Sequence, residues 1–269
     1  SRSPSLSLFS PTWPSASRPV SSPTTGFKNG RPGKTKMMDK VSEDHQDTAD
    51  TLIRTLSAGA AEIGVCLGTA ELECFAVYQR ELLLWNRRMN LISESSSRDI
   101  VVRHFLDSLT PVPLLERPEG SLIDIGSGGG FPGIPLRIAL PHLQLSLVEP
   151  SRKRSSFLSH IVRLLALGEV QVIRERVEML KAEKTFSGRF DTVISRAVFK
   201  LPEFLRTASF LLKPGGQLIA MKGPDPLIEM KETEKIFEAT GMVFSARRSF
   251  SLPGNNSQRI IITYNHVAG

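Results

Sequence analysis

At 269 residues the chain has room for one or two domains of ordinary size, and its 40% apolar content suffices for a packed core. No stretch reaches the ~18 uninterrupted apolar residues of a membrane-spanning helix, and two cysteines exclude both a disulfide framework and a zinc module built on cysteine. The formal charge of +7 suggests nucleic-acid binding, but its distribution does not. Residues 1–38 hold six basic side chains (Arg2, Arg18, Lys28, Arg31, Lys34 and Lys36) and no acid, which leaves 28 basic against 27 acidic in residues 39–269. The excess charge belongs to the amino-terminal arm.

Residues 1–46 are read as a disordered targeting arm. Serine, proline, threonine and glycine dominate its first 36 positions, so little apolar surface is available to offset the entropy of ordering. A Ser-rich, basic, acid-free arm without an apolar run fits a transit peptide, and its sparse arginines favour a plastid address over a mitochondrial one. Residues 47–118 form an expected helical segment. Leu52, Leu56 and Ile63, then Leu72, Phe75, Leu82 and Trp85, recur at helical spacing over 47–66 and 70–92. A third helical stretch is expected over 98–116, broken by Pro111 and Pro113. Cys66 and Cys74 are taken as inert core thiols.

Residues 119–269 alternate between strand and helix. SLIDI (121–125), QLSLVE (144–149), VQVI (170–173), DTVIS (191–195) and QLIAMK (217–222) read as buried strands. Helical patterns lie between them at about 134–140, 152–167, 202–212 and 226–240. MVFSARRSF (242–250) and QRIIITY (258–264), joined by LPGNNS, read as a closing antiparallel hairpin. The alternation predicts an α/β fold with a doubly wound, mostly parallel sheet of seven strands.

The sharpest feature is LIDIGSGGGFPGIPL (122–136), a strand running through Gly126, Gly128, Gly129 and Gly130 into a helix opened by prolines. Glycine there permits positive φ and brings backbone N–H groups close to a ligand. A pyrophosphate frame starting at Gly126 fails, because its last position falls on Phe131; the frame Gly128–Gly130–Gly133 matches but starts late. The frame Gly126–Gly128–Gly130, with Asp124 two residues upstream, suits S-adenosylmethionine. Glu149, at the end of the second strand, can accept hydrogen bonds from ribose hydroxyls, as nicotinamide and methionine cofactors both require. Arg196 ends the fourth strand, where open α/β sheets bind ligands; a structural ion pair with Asp124 or Glu149 is the competing reading. His104 and Asp107 lie three apart on a helix and are expected to pack the amino-terminal helices over the sheet.

Together WNRRMNLI (85–92), VRHFLDSL (102–109), DIGSGGGFPGIPL (124–136), RVEML (176–180), FDTVISRAV (190–198) and MKG (221–223) resemble the small-subunit ribosomal RNA guanine-N7 methyltransferases, the RsmG or glucose-inhibited division protein B family. The resemblance covers roughly residues 70–262. It implies a Rossmann-like methyltransferase fold, S-adenosyl-L-methionine as cofactor, and methyl transfer to N7 of a guanine in 16S-type RNA or the assembling small subunit. It also implies cofactor contacts at Gly126 and Phe131 in the turn, at Val177 and Glu178 after the third strand, and at Arg196. Gly128, Gly130 and Glu149 complete the expected set. No cysteine follows Cys74 to attack a pyrimidine ring, and no Asn-Pro-Pro-Tyr-like tetrapeptide follows the fourth strand. Guanine N7 already carries its lone pair, so a site without a general base fits. A small-molecule methyltransferase and a non-catalytic ribosome-assembly module are the alternatives. A plastid-stromal monomer without metal or membrane contact completes the expectation.

Overall fold

The computed structural model describes residues 51–94, 96–223 and 226–267. The expected targeting arm therefore lies outside the described residues. Helical backbone runs over 51–62 (α1) and then over Thr69–Met89 (α2), which ends on Asn90 in the left-handed conformation. Cys66 is exposed in the turn between these helices, correcting its assignment to the core; Cys74, on α2, is half-buried. The helical stretch expected over 98–116, broken at the prolines, is present as successive short pieces, one of them a π turn. Ser97–Ile100 (α3), capped by the Ser96 side chain, runs into a π-helical turn, Val101–Leu106, then Asp107–Leu109 (α4). Pro111, which has no N–H to continue the ladder, leads a 3-10 turn over Val112–Leu114.

Seven strands follow: β1 (Ser121–Ile125), β2 (Gln144–Val148), β3 (Val170–Ile173), β4 (Phe190–Arg196), β5 (Leu212–Lys222), β6 (Met242–Ser251) and β7 (Gln258–His266). Their order across the sheet is β3-β2-β1-β4-β5-β7-β6. The first five are parallel, and β7 pairs antiparallel to both β5 and β6. The expected hairpin is present, with β7 inserted beside β5 and β6 left as the edge. β5 begins earlier than its apolar run suggested, because Lys213–Gly216 bulge between the pairs Phe190–Leu212 and Thr192–Gln217. Helices α5 (Gly133–Ala139), α6 (Arg152–Leu164) and α7 (Leu201–Ala208) link the parallel strands. The helix expected over 226–240 is divided into α8 (Leu227–Thr233), a 3-10 turn and α9 (Phe237–Thr240).

Successive strand residues feed opposite cores, as a pleated strand requires. Leu122, Ile194, Ile219 and Ile261 pack with α1, α2, α5, α6 and the π turn; Ile123, Val193, Leu218 and Ile262 pack with α7 and α9. The amino-terminal helices are therefore one wall of the sheet's core, and the described residues belong to one compact unit. Phe105 on the π turn is fully buried, with ring centroids 5.0 Å from Phe75, 5.4 Å from Tyr78 and 6.2 Å from Phe131. Phe105→Ala should cost about 3–5 kcal/mol, read as a lower urea midpoint with an unchanged slope.

Candidate functional site

The chain leaves β1 in a tight turn anchored to β2: the N–H groups of Gly126 and Ser127 donate to the Val148 carbonyl at 2.9 and 3.1 Å. Gly126, Gly128 and Gly130 all have positive φ (76°, 58° and 99°). Their surroundings differ. A Cβ on Gly130 would lie 2.5 Å from the Tyr78 hydroxyl, which itself donates to the Gly129 carbonyl, so Gly130 lets α2 close on the turn. A Cβ on Gly133 would lie 2.5 Å from Leu147, a close helix–strand contact. At Gly128 a Cβ meets only the Gly126 carbonyl, at 3.9 Å.

Two carboxylates organise the turn. Glu149, 3% exposed, accepts from Gly128 N at 3.0 Å and from Ser151 N at 2.9 Å. Asp124 is fully buried; its Oδ2 accepts from Gly133 N at 3.0 Å, while its Oδ1 has no partner among the described residues. Burial pushes its carboxyl up to about 7, against the hydrogen bonds and the Arg196 charge that favour ionisation. Beside the turn opens a cleft of about 300 Å³. Gly126, Glu149, Arg154 and Arg176 line it with Val177, Glu178, Val198 and Phe199. Val198 approaches Gly126 so closely that a Cβ there would lie 2.7 Å from its side chain.

Arg196 is clamped on the other side of the turn. Its Nη1 donates to Asp107 Oδ2 and to the Arg103 carbonyl, both at 3.1 Å, and its Nη2 approaches His104 Nδ1 at 3.0 Å. The guanidinium lies 5.0 Å from the Phe131 ring centroid, and His104 stacks on the same ring at 4.7 Å. Arginine only donates, so Nδ1 is the bare nitrogen and Nε2 carries the proton given to Glu94 Oε2 at 2.7 Å. Burial, then the Arg196 charge, holds the imidazole below its usual range despite Glu94. Burial opposes the charge on Glu94, yet the interaction with His104 and the hydrogen bonds from Ser93 and the backbone together outweigh it and keep that carboxyl low.

A glycine turn at the end of β1, an acid at the end of β2 and the sheet order 3-2-1-4-5-7-6 invite comparison with known proteins. The family model described as rRNA small subunit methyltransferase G matches residues 71–258. The chain belongs to this family. Among curated members, the methyltransferase G of Syntrophus aciditrophicus is 43% identical over 85% of this chain and 96% of its own length. Those of Geobacter sp. and Carboxydothermus hydrogenoformans are 38% and 37% identical, over 77% and 76% of this chain and 94% and 87% of theirs.

Gly126, Glu149, Val177 and Glu178, expected as cofactor contacts, line the cleft. Gly128 joins them through its N–H to Glu149. Gly130, Phe131 and Arg196 are not among the cleft-lining residues: the first two pack toward Tyr78, and Arg196 faces the helical cover. The ion pair of Arg196 is with Asp107, which corrects the pairing with Asp124 or Glu149, because the π turn carries Asp107 over the end of β4. Sequence reasoning missed Glu94 and Tyr78, and missed that Arg259 Nε donates to the second Asp107 oxygen at 3.1 Å. Nothing in local spacing marks contacts spanning 89 and 152 residues. Val198 was visible inside FDTVISRAV but had no assigned part.

Asp124 gives a test of sign. Its folded-state pKa exceeds the unfolded 3.8, so its contribution to stability is complete below about pH 4 and is lost as pH rises to about 7. Asp124→Asn removes that slope. In urea unfolding the variant should gain on the parent between pH 5 and 8, by up to about 3 kcal/mol at ~1.36 kcal/mol per pKa unit; parallel curves would refute the buried carboxyl.

Proposed function

We propose that this chain transfers a methyl group from S-adenosyl-L-methionine to N7 of a guanine in small-subunit ribosomal RNA. Family membership supports the methyltransferase reading. The observation that carries the chemistry is the engagement of His104 at both ring nitrogens, which withdraws that imidazole as a general base beside the turn. Guanine N7 needs none, since its lone pair already points from the major-groove edge.

The cleft fits the cofactor. Each oxygen of Glu149 accepts one backbone N–H and keeps capacity for a ribose hydroxyl, and Val177 and Glu178 border the space for a base. The unpartnered Asp124 Oδ1 suits the cationic amine of the methionine part. Bound there, S-adenosylmethionine supplies an electrophilic methyl group on a sulfonium. Gly126 and Gly128 let the backbone approach it, and Arg196, bonded to Asp107 and His104, fixes the helical cover beside the turn. Catalysis in this reading is alignment rather than proton transfer. The plastid address rests on the composition of residues 1–38: deleting them should leave methyl transfer in vitro intact and abolish organelle import.

Labelled S-adenosylmethionine incubated with unmodified small-subunit RNA should deposit label at one guanine that becomes cleavable by the chemistry specific for N7 methylation. Label confined to small molecules, or cofactor binding without turnover, would favour the alternatives. Gly128→Asp should abolish calorimetric binding of S-adenosylhomocysteine in a folded protein, because the new side chain has room but sets a second carboxylate beside Glu149. Arg196→Lys should slow single-turnover transfer through lost alignment, with a profile as flat between pH ~6 and ~8.5 as the parent's.

A further inference from the structure

The carboxyl-terminal half of α2 and the whole of α6 form a face without acids. No Asp or Glu occurs between Glu81 and Glu94, or between Glu149 and Glu169. Those stretches carry Arg87 and Arg88 on α2, and Arg152, Lys153, Arg154 and Arg163 on α6, all exposed. None of the six forms an ion pair among the described residues, whereas Arg103, Arg117, Arg196, Lys213, Lys222 and Arg259 each meet a carboxylate.

The two helices present these cations together. Trp85 packs between them, 5.5 Å from Phe157 and 5.1 Å from His160, and His160 bonds Glu81 at 2.9 Å. That bond occupies the one acid bordering the face on α2. Beside Trp85 a groove of about 500 Å³ runs along Leu84, Arg87 and Arg88. The thirteen residues of α6 span about 20 Å, and Arg154 at its near end also lines the cofactor cleft. The basic face is therefore continuous with the place where a methyl group would be delivered.

We infer that this α2–α6 face holds the phosphodiester backbone of the substrate RNA, with Arg154 at the junction between backbone grip and cofactor cleft. The inference rests on the RNA methyltransferase reading and extends it. An almost neutral folded body gains RNA affinity only by local concentration of unpaired cations, and this face supplies it. A membrane surface fits poorly: the apolar side chains of α6, Phe157, Leu158 and Ile161, are buried, and the exposed Leu84 and Leu164 make no inserting stripe.

The test uses the full chain and small-subunit RNA, with binding measured from about 50 to 300 mM salt. The variant Arg87→Gln/Arg88→Gln/Arg163→Gln spares Arg154 and so leaves the cleft intact. Arg247→Gln/Arg248→Gln, on the edge strand β6 at the far side of the sheet, is the control. The triple variant should bind RNA at least tenfold more weakly near 100 mM salt. Its slope of log K against log salt should fall by about two, at roughly 0.7–0.9 for each phosphate that the protein ceases to neutralise. S-adenosylhomocysteine affinity and single-turnover rate at saturating RNA should stay at parent values, which also verifies folding. An unchanged slope, or an equal loss in the β6 control, overturns the assignment. Loss of binding to assembled subunits with full retention on naked RNA overturns it in favour of a ribosomal protein. A parent enzyme that methylates no small-subunit RNA overturns the function reading and this face with it; an active parent with an unaffected triple variant overturns the face alone.

Discussion

The buried carboxylate of Asp107 ties together three parts of the chain that are distant in sequence. It stands where the π turn ends and α4 begins, and its two oxygens take Arg196 from the end of β4 and Arg259 from the start of β7. A buried charge is costly unless its lone pairs are used. Here both oxygens are. Removing Asp107 would leave two guanidinium groups, Arg196 and Arg259, without their shared carboxylate. The pairing thus fastens the helical cover to the ligand-binding edge of the sheet, and Tyr78, Phe105 and Phe131 fill the space between with stacked rings.

Orientation follows from the same contacts. Arg196 is held by a carboxylate, a carbonyl, an imidazole nitrogen and an aromatic face, so its planar fork has few alternative positions. The imidazole that helps to hold it is itself fixed by Glu94. A group with both nitrogens engaged orients its neighbours and takes no proton from a substrate. Such a site suits a nucleophile that needs only alignment.

The sheet was legible because buried parallel strands are short runs rich in Val, Ile and Leu, as in Leu122–Ile125 and Val193–Ser195, and the turn because four glycines at a strand end have few other uses. Glu149 could be placed at the cleft from its position at the end of β2. The π turn was not legible: VVRHFL has ordinary helical spacing, and only packing against Tyr78 and Phe131 distinguishes it. The strand was expected to begin at Gln217, whereas the long β5 takes in Lys213–Gly216 as a bulge. Arg196 was found by its strand-end position, but its partner lies 89 residues away, and charge alone offered Asp124 and Glu149 as easily. Gly130 was expected from the spacing of the glycines and Phe131 from the family resemblance; what the sequence did not show is that both also seat α2 and the π turn.

Nitrogen-15 correlation spectra of the histidine rings, followed from pH 5.5 to 8, test the arrangement around Arg196 most directly. His104 should appear as the neutral tautomer protonated on Nε2, with a titration midpoint below the ordinary ~6.5. A ring protonated on Nδ1, or one that titrates above that value, would mean that Arg196 is not held by His104 and that a base stands free beside the turn.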